Sequence, residues 1–160
     1  MRPMIAARAA RAATLAIAIV LVAGCSGDYA LPTPTPQDFG GIVTALAADG
    51  ITASQPVSGD AGCSDPNLVA AAISFHAIGD GVTDPVLLRV YIFGSTDAYD
   101  RRRPDVDACD ARWATDPATF ETVDAAPYVV AGQGPWPDAF KAAIQDALRV
   151  AAGTASPNPS

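Results

Sequence analysis

"LVAAAISFHAI" (Leu68–Ile78) and "VLLRVYIF" (Val86–Phe93) flank "GDGVTDP" (Gly79–Pro85), a segment dense in turn-forming residues. The two apolar runs read as the arms of an antiparallel hairpin. Placing Ile78 opposite Pro85 sets Phe75 beside Leu88, Ile73 beside Val90 and Ala71 beside Ile92. That face is wholly apolar. The other face pairs Ala72 with Tyr91, Ser74 with Arg89 and His76 with Leu87. A slip of one residue would mix the two sets, so the pattern itself specifies the register. The apolar face needs a cover, and helices are the natural one.

Working outward, those helices can be placed. Thr35-Pro36 with Asp38 supplies a cap, a first-turn proline and an acid near the positive helix end. Phe39, Ile42, Val43, Leu46 and Ala47 follow on one stripe, and Gly50 closes it. A short strand is expected at Ile51–Val57. "GSTDAYDRRRP" (Gly94–Pro104) reads as a short helix capped by Ser95 or Thr96 and stopped before Pro104. Phe120–Asp124 and Tyr128–Ala131 are strand-like, with Pro127 interrupting them. A last helix starts near Pro137, with Phe140, Ala143, Ile144, Ala147, Leu148 and Ala151 as its stripe. The order predicts one small α+β domain over residues 37–152. An antiparallel sheet would carry helices largely on one face, with one disulfide and a loose tail over 153–160.

The N-terminus is of another kind. Arg2, Arg8 and Arg11 are its only charges, and Ala12 to Ala23 contain one polar residue, Thr14. Twelve helical residues span about 18 Å, short of a hydrocarbon core of about 30 Å. The pattern is that of an export signal. "LVAGC" (Leu21–Cys25) resembles the lipobox of bacterial membrane lipoproteins. The resemblance covers about the first 26 residues. It implies cleavage after Gly24, a diacylglycerol and fatty acyl (palmitate-type) anchor on Cys25, and residence at the extracytoplasmic face of the cell membrane. Each buried CH₂ contributes about 0.8 kcal/mol, so two or more chains hold durably. Residues 25–36 then form a lipidated, Pro-rich linker ("SGDYALPTPTP", Ser26–Pro36), extended at about 3.1 Å per residue.

With Cys25 acylated, Cys63 and Cys109 are left as a pair, and an exported chain meets oxidising conditions. A disulfide closing 47 residues is expected. The signal holds three of ten basic residues and none of seventeen acidic ones, so the remainder carries seven against seventeen, a formal −10. Such charge repels phosphates and argues against nucleic-acid partners.

Motifs of catalysis are weak. Gly132 and Gly134 in "AGQGPWPDAF" (Ala131–Phe140) lie between strand and helix, as in phosphate loops, but Pro135 and Pro137 lack the N–H groups such loops aim at an anion. His76 is the single histidine, and Ser74 two residues away is about 7 Å distant along a strand. The acidic groups Asp60/Asp65/Asn67, Asp80/Asp84 and Asp105/Asp107/Asp110 lack the glycine and distal glutamate of a twelve-residue calcium loop, and Arg101–Arg103 can neutralise the third. No metal or cofactor is expected. The sequence therefore predicts a binding or interaction module, partnered by an envelope protein or small ligand. Its candidate surface is Ser74, His76, Arg89 and Tyr91, with Trp136 nearby. A small hydrolase using His76 and a structural envelope spacer are the alternatives.

Overall fold

A computed structural model describes residues 36–153. The signal segment, Cys25, the rest of the linker before Pro36 and the tail from Thr154 lie outside the described residues. In chain order the elements are α1 (Pro36–Ala48), β1 (Thr52–Ser58), α2 (Pro66–Val69), β2 (Ala72–Gly79), β3 (Val82–Ile92), α3 (Thr96–Trp113), β4 (Phe120–Ala125), β5 (Tyr128–Gln133) and α4 (Asp138–Ala151). The five strands form one antiparallel sheet in the order β1-β2-β3-β5-β4.

The central hairpin has the register its side-chain pattern demands: Ile73 opposite Val90, Phe75 opposite Leu88, Ser74 opposite Arg89 and His76 opposite Leu87. Its tip differs from the sequence expectation. The turn is only Asp80-Gly81, both residues having positive φ, and β3 begins at Val82. Asp-Gly is the favoured two-residue hairpin turn, so much of the presumed loop is strand. Ile78 and Pro85 fall in an irregularity between the Ala77–Val86 and Gly79–Val82 pairs. Gly79 is obligatory there: a Cβ would stand 2.2 Å from the Gly50 carbonyl oxygen, at a φ of +138°.

One sheet face, with Ile73, Phe75, Ala77, Leu88, Val90, Val123 and Val130, packs on α1 and α4. Phe39, Ile42 and Leu46 come from α1, and Phe140, Ile144 and Leu148 from α4. Each is at most 2% exposed, and burial of such side chains contributes about 1.5–3 kcal/mol apiece.

The second face was expected to stand open. Instead α3 covers the half near Tyr91, making a second core from Leu68, Ala72, Tyr91, Phe93, Val106, Cys109 and Val129. The reason is the length of α3. Proline was expected to stop this helix, yet it runs eighteen residues through Pro104. Pro104 and Asp100, whose carbonyl the missing N–H leaves without its helical partner, are both exposed positions, where such a loss is tolerated. Arg102–Asp105 and Arg103–Asp107 ion pairs brace either side of it. A disulfide joins Cys63 to Cys109, as the cysteine count implied.

Two further local differences have clear causes. Leu68–Ala71 are not strand: Asp65 accepts from the Asn67 and Leu68 N–H groups, caps Pro66 and starts α2. Pro127 does not merely interrupt a strand; with Ala126 it forms the turn of a β4–β5 hairpin. Strand β1, at one sheet margin, is irregular. Its pairing with β2 shifts between Ser54 and Val57, Gln55 has a φ of +54°, and Pro56 follows.

Candidate functional site

The candidate surface divides when placed on this frame. Ser74, His76, Arg89 and Tyr91 do share the second sheet face. Tyr91 is fully buried beneath α3, and Ser74 and Arg89 are also buried. His76 is partly exposed, but its Nδ1 is buried without a hydrogen-bond partner. Trp136 does not join them. It is 4% exposed in the opposite core, lies edge-on to Phe140 at 5.8 Å, and donates its indole N–H to the Gln133 carbonyl at 3.0 Å. The proposed contact surface is thus mostly interior, because α3 is longer than Pro104 suggested.

What remains open is the other half of the second face, past the end of α3. A cavity of about 380 Å³ lies there, lined by Val86, Leu87, Arg89, Trp113, Thr115 and Gln133. Strands β3 and β5 form its floor, and the last residue of α3 with the following segment forms its wall. Leu87, 39% exposed, supplies an apolar surface.

Arg89 is the organising side chain. Its Nε and Nη2 donate to Asp60 Oδ1 at 3.3 and 3.2 Å, and Nη2 also to Oδ2 at 3.3 Å. Its guanidinium lies 4.2 Å from the Trp113 ring centroid, a cation–π contact. Burial alone would raise the Asp60 carboxyl. The Ser74 hydroxyl, the Arg89 charge and the Gly62 N–H outweigh it and hold the group below the usual carboxylate range. Trp113 and Arg89 are packed tightly around Gly62, where a Cβ would meet Trp113 Cδ1 at 2.5 Å and Arg89 Nε at 2.9 Å.

The polar side of the cavity satisfies itself. The Thr115 N–H and hydroxyl each donate to Gln133 Oε1 at 3.0 Å. Gln133 Nε2 donates to Asp116 O at 3.1 Å and to Thr119 Oγ1 at 2.7 Å.

Behind this wall lies a buried acid. Asp110 is 3% exposed, and its Oδ1 is 3.1 Å from the Tyr91 hydroxyl, which also reaches the Ala61 carbonyl at 2.9 Å. One hydroxyl proton serves only one acceptor. A protonated Asp110 removes the conflict by donating to Tyr91 while Tyr91 donates to Ala61. Burial pushes the Asp110 carboxyl up to about 6, partly offset by Tyr91 and the Arg103 charge. The neighbouring Asp107 adds to the rise, and Trp113 opposes it.

The unfolded carboxyl titrates near 3.8, so between about pH 4 and pH 6 only the folded chain keeps this proton. The contribution of Asp110 to stability therefore falls as pH rises through that window and stays reduced above it. At about 1.4 kcal/mol per pH unit, the loss reaches about 2–3 kcal/mol. Urea unfolding at pH 4.5 and pH 7 should show this slope in the native chain relative to Asp110→Asn, which is neutral throughout. Parallel pH profiles would refute it.

The hydrolase chemistry considered for His76 has no assembled partner. No hydrogen bond joins it to Ser74, whose hydroxyl serves Asp60. No group of three His, Cys, Asp or Glu suited to a metal occurs among the described residues. No helix among them is long and apolar enough to cross a membrane.

Trp113 is not singled out from sequence, and Asp60 figures there only in an acidic group weighed for calcium, although one signal for its pairing existed. An arginine in the middle of an apolar central strand requires a carboxylate within reach. No protein-family model, curated protein or solved structure matches the chain.

Proposed function

We propose that this protein is exported, acylated at Cys25 and held at the extracytoplasmic face of a bacterial cell membrane as a binding module, with the cavity beside Arg89 and Trp113 as its contact site. The cysteine arithmetic carries the reading. Pairing of Cys63 with Cys109 accounts for two of three cysteines, and the third, Cys25, stands in the lipobox-like "LVAGC". The formal charge of −7 for the whole chain fits a partner other than nucleic acid. Binding is better supported than hydrolysis, because the cavity is walled by an arginine already paired, by apolar side chains and by Thr115 and Gln133 hydrogen-bonded to each other, without an activated nucleophile among them.

The test is intact-mass analysis of the chain isolated from bacterial membranes. The expected product begins at Cys25 and carries diacylglycerol mass on that residue. Cys25→Ser should yield chain without acyl mass, and its membrane recovery should depend on uncleaved signal. A native product starting at Cys25 without lipid would overturn the anchor.

A further inference from the structure

The cavity's chemistry defines its ligand more closely than the word "module" does. Resting on the binding reading above, we infer that the cavity takes an uncharged, mainly apolar molecule bearing one amide-type carbonyl acceptor. The carbonyl meets the guanidinium of Arg89, and the apolar part lies on Leu87 and the Trp113 ring.

Three observations converge. The volume, about 380 Å³, is that of a small-ligand pocket and suits one amino-acid-sized group. Its solvent-facing hydrogen-bonding capacity is largely committed, while the Trp113 indole N–H is buried away from solvent without a partner. Thr115 and Gln133 satisfy each other and the adjacent backbone. On Arg89, Nε and Nη2 serve Asp60, and no described residue accepts from Nη1. The Arg89 side chain is 10% exposed, so nine-tenths of it is buried while it still contributes to the cavity wall. A donor held this rigidly makes a strong hydrogen bond to a neutral acceptor, because it carries formal charge and loses little freedom on binding.

Charge then selects among acceptors. The Arg89 cation is offset by the Asp60 carboxylate 3.2 Å away, which its neighbours keep ionised. An anion therefore finds a neutralised pair, with the Asp60 carboxylate close by, in a chain of net negative charge. A cation meets the guanidinium directly. A neutral carbonyl suffers neither repulsion. The remaining walls, Val86 and Leu87, reward aliphatic or aromatic surface rather than further polar groups.

The chain holds two tryptophans, so labelling with 5-fluorotryptophan gives two ¹⁹F signals, assigned through Trp113→Phe. Trp136, in the opposite core, is the internal reference. The probe is N-acetyl-leucine methylamide. N-acetyl-leucine serves as its anionic counterpart and leucine methylamide as its cationic one. The mature chain is used as isolated, in lipid nanodiscs if acylated and in buffer if not, so failure of the anchor and failure of the site are read separately.

The neutral amide should shift the Trp113 signal saturably and leave Trp136 in place. Both charged analogues should bind at least about tenfold more weakly, a difference of about 1.4 kcal/mol. Leu87→Glu alters an exposed position and should abolish the Trp113 response without unfolding the chain. Arg89→Met should weaken the amide about tenfold while leaving its apolar contacts. No saturable Trp113 shift at the solubility limit, equal binding of the anion, or an unchanged response in Leu87→Glu would each overturn the assignment.

Discussion

Replacing Cys63 and Cys109 together by alanine lowers the unfolding free energy by about 4 kcal/mol, the loop-entropy value for the 46-residue separation they span. For a domain of this size the expected fall in Tm is on the order of 15 °C. The bond ties the segment before α2 to the C-terminal part of α3, which meets the second core through Ala98, Val106 and Cys109, with Tyr99 and Trp113 packed beside them. Without it, α3 loses its covalent tether, and Trp113, one turn beyond Cys109, loses a constraint on its place in the cavity wall. Thermal unfolding with and without reductant checks the native chain, and the double variant checks that reduction acts through this bond. A loss under about 1 kcal/mol would mean that packing alone positions α3.

The second large effect concerns the Asp60–Arg89 pair, and its two halves are not equivalent. Asp60→Ala strands a guanidinium whose side chain is 10% exposed, and such uncompensated burial costs about 3 kcal/mol or more. Arg89→Met keeps the stem's packing and frees a carboxylate that is 36% exposed and can rehydrate, so its cost should be about 1 kcal/mol. The double variant should lie closer to Arg89→Met than to Asp60→Ala, because no buried charge remains. Denaturant titrations of the three variants decide the point. Equal losses for the two single variants would show that the pair, rather than the buried cation, carries the energy.

The sheet was legible in the sequence because its information is local and periodic. Alternation over Ile73–Ala77 and Val86–Tyr91 sets the central register, and the stripe Phe140–Ile144–Leu148 places α4. Two local signals were outweighed by stronger-looking ones. The apolar Leu68–Ala71 run reads as strand, whereas the Asp65-Pro66 cap decides it as helix. The Pro104 rule argues for a stop, whereas the ion pairs and the buried Val106 and Cys109 beyond it carry α3 onward.

The site suffered most from that one element. Ser74, Arg89 and Tyr91 lie on the face assigned to them, but whether a face meets water depends on what crosses it. An additional ten residues of α3 beyond Arg103 turn an outer surface into an interior. The contacts that make Arg89 a wall, namely Asp60 from a loop 29 residues earlier and Trp113 from 24 residues later, have no periodic signature at all.

Strand β1 has a consequence for behaviour in company. It is the exposed margin of the sheet beside β2, and an even margin offers its unpaired N–H and C=O groups to any neighbouring copy. Here the left-handed Gln55, the proline after it and the shifted pairing break that row before it is long enough to template another strand. Edge-to-edge pairing of two copies along β1 is therefore disfavoured, and the crooked border guards that side of the sheet against growth into a ribbon.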